Sequence, residues 1–211
     1  MRTTILYLSL LALLPACRGA YYSTMETFGV HKRDILVDEV EDGREDQAEA
    51  QEQFQETYKA FQELTGAEGG ELEDVYDNLS DELEDCEESA DDVHKRIDDI
   101  EQVAGDLFEE WEDEIGGMEN ASLKSESKSM LQDTRSRYAE MIGTMQQAET
   151  KMEPVLQAFR DHVTFLKHNL NAKAISSLQK VVPGIEKDVA ALIADMEKSI
   201  AEADEFIKAM E

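Results

Sequence analysis

The sequence predicts an all-α protein in which long antiparallel helices form an up-down coiled-coil bundle, with four helices as the expected number. Glycine and proline are scarce, at 11 and 3 of 211 residues, so long helices meet few breaks. Apolar residues recur at alternating spacings of four and three, which is the heptad pattern of coiled coils. Aromatic residues make up only 7% of the chain, which suits a narrow helical seam better than a broad globular core.

The formal net charge of −29 narrows the classes of partner. A surface this acidic repels phosphate backbones, so we expect no nucleic-acid binding. It also repels anionic lipid head groups, so attachment to a membrane requires an anchor and not a basic patch. A protein partner with a basic surface, and self-association, both remain open.

The first residues have the features of an export signal. Arg2 gives a short basic start, and the apolar run at 5–14 is broken only by Ser9. This run is too short to span a bilayer but has the length of a secretory signal core. We therefore interpret residues 1–16 as a signal peptide.

The end of this signal resembles the lipobox of bacterial lipoprotein precursors. Leu14 at −3, Ala16 at −1 and Cys17 at +1 match it, whereas Pro15 at −2 is less usual. The resemblance implies a diacylglycerol on the Cys17 thiol, membrane contact through that lipid, and an N-terminal tether over residues 17–30.

Arg18 at the +2 position implies, by analogy with lipoprotein sorting, a place in the bacterial cell envelope at the outer membrane, facing the periplasm. Two alternatives remain. Ordinary cleavage near Ala16 or Gly19 would leave a soluble periplasmic protein, and an uncleaved signal would itself act as the anchor.

The remaining residues, 31–211, are predicted to form one helical domain. Breaks at 65–70, at Gly116-Gly117 and at Asn169-Leu170-Asn171 separate segments of similar length. Near-equal lengths, roughly 60–70 Å each as helices, are what an up-down bundle needs. The predicted segments are 22–64, 71–115, 123–168 and 172–211.

Two prolines complicate this layout. Pro154 lies inside the third segment and is expected to kink it. Pro183 lies inside the fourth segment and would split it, and if it marks the true corner the third helix continues through Asn171. Ser122 and Asn171 are the predicted N-caps of the third and fourth helices.

The heptad positions predict which residues face the core. In the first segment they are Leu36, Val40, Gly43, Gln47, Ala50, Phe54, Thr57, Phe61 and Leu64. In the second they are Leu72, Tyr76, Leu79, Leu83, Cys86, Ala90, Val93, Ile97, Ile100, Ala104, Leu107 and Trp111. In the third they are Tyr138, Met141, Met145, Ala148, Met152, Val155, Phe159, His162 and Leu166. In the fourth, where a four-four step at Met196 indicates a stutter, they are Leu178, Val182, Ile185, Val189, Leu192, Met196, Ile200, Ala203, Ile207 and Met210.

Several stretches resemble a family of proteobacterial secreted, lipoprotein-like proteins described only as a domain of unknown function. They lie at 29–37, 109–114, 152–156, 166–172 and 199–204, so that the resemblance covers nearly the whole mature chain. It implies a single all-helical domain and brings no activity, ligand or catalytic residue.

No catalytic, cofactor or metal site is predicted. His31, His94, His162 and His168 form no zinc-ligand spacing, and His162 on the seam is more simply a core histidine than a ligand or switch. Cys86 is predicted to be a buried, inert thiol, with an intermolecular disulfide as the alternative. The methionines at 130, 141, 145 and 152 have the spacing of core residues, with copper binding as the less favoured interpretation.

The second segment carries most of the charge. Residues 71–115 contain 21 Asp or Glu residues against Lys95 and Arg96, whereas residues 123–168 are nearly neutral. The simpler interpretation is a solvated face that keeps the protein soluble. The functional interpretation is a surface for cations or for a basic partner.

The resulting functional hypothesis is a non-enzymatic, lipid-anchored envelope protein that acts as a coiled-coil adaptor or spacer in the periplasm. The alternative, from another class, is a divalent-cation or small-ligand binding module built on residues 71–115. Neither hypothesis requires a cofactor.

Overall fold

A computed structural model describes residues 31–67 and 71–210 of the chain. This part contains five α-helices and no β-strand, which confirms the all-α prediction. The predicted signal peptide and tether, at 1–30, lie outside the described residues. The helices are α1 (Lys32–Gly66), α2 (Leu72–Gly117), α3 (Ala121–Lys167), α4 (Ala172–Leu178) and α5 (Val182–Met210).

Asparagine side chains cap the first turns of α3 and α4. At α3 the Oδ1 atom of Asn120 accepts from the N–H groups of Ser122 and Leu123, at 3.0 and 3.2 Å. The prediction that Ser122 caps this helix is therefore wrong: Asn120 precedes the first turn, and its oxygen reaches the unpaired donors there. The predicted cap Asn171 is confirmed, because its Oδ1 atom accepts from the first amides of α4.

The corner after α3 contains two breaks and not one. Helix α3 ends at Lys167, and the chain turns before Asn171, the N-cap residue of α4. A second interruption at 179–181 separates α4 from α5. Pro183 lies in the first turn of α5, where its missing N–H costs nothing. The split that Pro183 indicated within 172–211 is thus confirmed, because the proline offers no N–H to the carbonyl of the preceding turn. The alternative in which the third helix continues through Asn171 is wrong, since α3 ends at Lys167.

Pro154 does not end α3. The helix is continuous from Ala121 to Lys167 with Pro154 inside it, on the exposed side. A proline on the solvent side leaves the facing carbonyl accessible to water, which lowers the cost of the missing amide.

Neighbouring long helices are antiparallel wherever they are in contact. Helix α2 packs against α1 and α3, and α5 packs against the same two helices. In each pair the early residues of one helix contact the late residues of the other. The contacts that show this are Lys32–Glu110 and Gln53–Glu82 for α1 and α2, Arg135–Glu112 and Arg160–Glu87 for α2 and α3, Tyr138–Phe206 and Gln147–Asp195 for α3 and α5, and Arg44–Asp204 for α1 and α5.

The heptad positions form one apolar core. All nine predicted positions of the first segment are buried in α1. In α2 the nine predicted positions from Leu79 to Leu107 are buried, and only the terminal Leu72, Tyr76 and Trp111 remain partly exposed. In α3 seven of nine are buried, with Tyr138 and His162 partly exposed.

The predicted stutter in α5 is wrong. Ser199 is fully buried while Ile200 is only partly buried, so the seam runs Met196, Ser199, Ala203 without a slip. The small polar serine occupies a position that apolar pattern reading assigned to the neighbouring isoleucine. The seam continues through Phe206 and Met210, so the alternation of four and three is unbroken in this helix when Phe206 takes the seam position predicted for Ile207.

Candidate functional site

The exposed side of α2 carries a stripe of carboxylates, which we call the acidic stripe. Its members recur at helical spacings opposite the buried seam, and every one is exposed. From first to last they extend over about 33 Å at 1.5 Å per residue. The acidic stripe consists of Asp77, Asp81, Glu84, Asp85, Glu88, Asp91, Asp92 and Asp99.

Few cations neutralise this stripe. Among the described residues, one member of the stripe forms an ion pair: Asp92 contacts Lys95 of the same helix at 2.9 Å. The positive groups of the neighbouring helices go to carboxylates at the flanks of α2: Lys32 contacts Glu110 at 3.0 Å, and Arg135 contacts Glu112 at 2.6 Å. The stripe thus remains a concentrated negative surface that attracts cations and basic partners.

A small opening, which we call the window, lies between α2 and α3 beside the acidic stripe. Two bridges between the helices bound it. At one end the Nδ1 atom of His94 lies 2.6 Å from Oε1 of Glu149, and at the other Arg160 contacts Glu87. The cavity has a volume of about 160 Å³, with a floor of Ala90, Met152 and Leu156 and a rim of Asp91, His94, Glu149, Glu153 and Arg160.

Contacts with carboxylates favour the charged forms of both bridging groups. The hydrogen bond that Glu149 accepts from His94, helped by the charges of nearby carboxylates, raises the pKa of His94 above its usual value. Arg160 is held by two carboxylates, since it contacts Glu87 on α2 and its Nη1 atom donates to Glu153 on α3 at 2.8 Å. The window therefore combines an apolar floor with a rim in which carboxylates outnumber cations.

A family comparison identifies the chain. The profile of the DUF2959 family, described as a protein of unknown function, matches residues 21–210. The chain belongs to the DUF2959 family. Neither the comparison with curated proteins nor the comparison with solved structures gave a match. Membership confirms the coarser part of the resemblance, a family of unknown function, and assigns this DUF2959 protein no activity or ligand.

The one modification site predicted from sequence, Cys17, lies outside the described residues. Within 31–67 and 71–210 of this DUF2959 chain, no group of three or more His, Cys, Asp or Glu side chains is arranged to hold a metal ion. No helix in the same part is long and apolar enough to cross a membrane.

The structure places the four histidines apart. His31 is the N-cap residue of α1, where its own N–H donates to Asp34 at 3.2 Å, and His168 follows the last turn of α3. His162 is partly buried with its ring 5.4 Å from that of Phe61, and burial lowers its pKa. The core position predicted for His162 is thus supported.

Cys86 is a free thiol in the core, as predicted. Burial raises its pKa to about 12, so that the reactive thiolate is scarcely formed at neutral pH. Of the methionines predicted to be core residues, Met141, Met145 and Met152 are buried. Met130 is 56% exposed, so the prediction is wrong there.

The window is the feature that the sequence did not reveal. Its rim comes from two helices, and residues such as His94 and Glu149 are 55 positions apart in the chain. Neither stands out from the many charged residues around it. The predicted antiparallel pairing of α2 with α3 was the one indication, because it places His94 and Glu149 at the same height along the two helices.

Proposed function

We propose that this DUF2959 protein is a non-enzymatic adaptor or spacer of the bacterial cell envelope that presents the acidic stripe of α2 to a basic protein partner. The observation that carries the proposal is the stripe itself, because within the described part of the chain only Lys95 pairs with it. Unpaired like charges on one helix weaken it by about 0.2–0.5 kcal/mol per i,i+4 pair. A cationic partner would offset this repulsion.

We also propose that the four long helices form an up-down four-helix bundle, with α4 as a short element at one corner. Support comes from the antiparallel orientation of each contacting pair and from the single apolar core that they share. Such a bundle provides rigid length, since α2 and α3 are 46 and 47 residues long. Rigid length is what a spacer requires.

Attachment through a lipid on Cys17 is part of the same proposal. Residues 18–30 then separate the anchor from His31, the first described residue. The proposed address is the outer membrane facing the periplasm, and simple cleavage of the signal would instead make the protein soluble in the periplasm.

Affinity capture from intact cells tests the adaptor function. The variant Asp81→Lys/Glu88→Lys reverses two charges of the acidic stripe, while Asp188→Lys/Glu197→Lys reverses two exposed charges on α5 as the matched control. A genuine partner should be captured by the wild type and by the α5 variant but lost from the stripe variant. Equal capture by both variants would refute the role of the stripe.

The anchor is tested separately. Cys17→Ala should abolish lipid labelling and move the protein out of the membrane fraction, because one acyl chain binds only marginally and stable attachment needs the processed, multiply acylated cysteine. Lipid label that persists in this variant would refute acylation at Cys17.

The divalent-cation alternative makes a different prediction. Calcium or magnesium that merely screens the stripe acts like salt, with effects at millimolar concentrations. Calorimetry showing stoichiometric binding at micromolar concentration would favour the cation module over the adaptor.

A further inference from the structure

The window between α2 and α3 is shaped for a side chain that is apolar along its length and charged at its tip. Its floor consists of Ala90, Met152 and Leu156, three buried residues of the apolar core. Its rim carries the carboxylates of Asp91 and Glu153. The window is therefore open to solvent at its rim and apolar at its base.

We propose that the window receives a lysine or arginine side chain of the protein partner, with the aliphatic stem on the apolar floor and the cation among the carboxylates of Asp91, Glu149 and Glu153. This inference rests on the proposed function, because it names the anchoring point of the basic partner on the acidic surface. The acidic stripe then attracts the partner, and the window fixes its position.

The chemistry of the window fits this occupant. Lysine and arginine bury their methylene stems on apolar surface while the charged end stays near water. Carboxylates give a cation short, charge-assisted hydrogen bonds. Glu149 and Glu153 are one turn apart on α3, so that both can face a single cation.

Basic side chains of the protein itself already contact the carboxylates of the window. Arg160 runs along the edge of the window and bridges Glu87 and Glu153, one on each helix. His94 reaches Glu149 across the other end. A cation from the partner would join these two bridges as a third contact between the same helices, in competition with His94 for Glu149.

An anion is the wrong occupant. At the rim it would face three carboxylates, Asp91, Glu149 and Glu153, against two basic side chains, His94 and Arg160, each already paired with one of these carboxylates. The adjacent acidic stripe adds long-range repulsion. A basic side chain is instead attracted by the rim carboxylates and by the acidic stripe.

Calorimetric titration of the purified protein with a hexa-arginine peptide, at about 0.15 M salt, tests the proposal. The variant Glu149→Gln/Glu153→Gln removes two carboxylates at the window. The variant Glu126→Gln/Glu140→Gln removes two exposed carboxylates elsewhere on the same helix and is the matched control. We expect the window variant to lose about tenfold or more in affinity and the control about twofold or less.

The position of the bound peptide is measured in the wild type, which removes any effect of altered folding. With ¹³C-methyl methionine, the NMR signal of Met152, on the floor of the window, should shift as the peptide is added. Met145 and Met196 are fully buried away from the window and should not move. Free spermidine should compete weakly, because it lacks the contacts that a peptide makes with the acidic stripe.

Each outcome separates the two proposals. Equal loss of affinity in both variants, or an unmoved Met152 signal, would overturn the window while leaving the acidic stripe as a diffuse binding surface. No binding of the peptide by the wild type would overturn the proposed function itself. Binding by the wild type, with loss only in the window variant, supports both.

Discussion

Arg96 of α2 lies across Gly43 of α1, where the two helices come close together. A Cβ atom on Gly43 would be 3.1 Å from Cγ of Arg96 and 2.8 Å from Cδ1 of Ile100. Because Gly43 has no side chain, the stem of Arg96 can pass over α1. The guanidinium then reaches Glu39 at 2.6 Å and Asp46 at 2.8 Å, on either side of the glycine.

We expect Gly43→Ala to destabilise the protein although alanine is the better helix former. Alanine gains about 1 kcal/mol in helix propensity, but the added methyl displaces the buried Ile100 and the stem of Arg96, and such overpacking costs about 1–3 kcal/mol. Gly105→Ala and Gly143→Ala are the controls, since nothing lies within 4 Å of either Cβ position. Urea unfolding should show both controls to be stabilised, and a Gly43→Ala protein as stable as they are would contradict the close approach.

Replacement of Arg96 should weaken the pairing of α1 with α2. Arg96→Met keeps the apolar stem but leaves the carboxylates of Glu39, Asp42 and Asp46 without their shared cation. We expect a loss of about 1–3 kcal/mol in the free energy of unfolding. Lys95→Met, at an exposed neighbour that pairs only locally, should leave the free energy of unfolding nearly unchanged. Similar losses in the two variants would show that the Arg96 cluster contributes no more than a surface pair.

Apolar replacement of two buried polar residues of α1 should change the stability of the protein in opposite directions. The side chain of Gln47 is 1% exposed and makes no hydrogen bond with any described residue, so Gln47→Met should stabilise the protein by about 1–3 kcal/mol. Oγ1 of Thr57 lies 2.9 Å from the carbonyl oxygens of both Gln53 and Glu82, so Thr57→Val should cost about 0.5–1.5 kcal/mol. Thermal melts distinguish the two, and destabilisation by Gln47→Met would indicate that this glutamine is satisfied in solution.

Cys86 should be unreactive in the native protein. Its sulfur is buried beside Thr57, and its pKa is raised to about 12, so that both access and thiolate are limiting. A thiol reagent at about pH 8 should modify it only at the rate at which the core opens, and rapidly in urea. Rapid modification of the folded protein, measured in a Cys17→Ala background, would place the thiol nearer the surface than the structure does.

Two histidines should give stability changes of opposite sign with pH. The contact with Glu149 raises the pKa of His94, so its contribution is present below the ordinary histidine pKa and lost as the pH rises through the raised value. Burial lowers the pKa of His162, so its neutral form stabilises the fold and that contribution is lost as the pH falls through the ordinary value. His94→Gln should therefore cost more at about pH 5.5 than at about pH 8.5, and His162→Gln more at the higher pH. Melts of both variants at the two pH values test the signs, and equal costs at both would contradict the contacts.

The heptad reading succeeded because one face of each helix must be buried, and burial selects apolar residues at a fixed period. It placed even Gln47 and Thr57 correctly on the seam of α1, although both are polar. The heptad pattern was wrong at Ser199: it assigned the seam position to the neighbouring isoleucine, Ile200, whereas Ser199 is the buried residue. A pattern of residue types cannot by itself distinguish two adjacent positions at the edge of a wide apolar stripe.

The window was beyond sequence reasoning for another reason. Its rim requires α2 and α3 to be aligned to within one turn, and that alignment is set by the packing of the whole core. The sequence showed that residues 71–115 are acidic but not which carboxylates would face Arg160 or His94.

By itself the sequence determined the helical class of this protein, its seams, its buried thiol and its uneven charge, because each depends on local spacing or composition. Only the tertiary structure decided which helices lie side by side, where Arg96 crosses Gly43, and where α2 and α3 leave a window. These features depend on contacts between residues far apart in the chain. The physical reason is that many alignments of amphipathic helices bury similar apolar area, and the choice among them is made by close packing and by charged pairs that only the folded arrangement brings together.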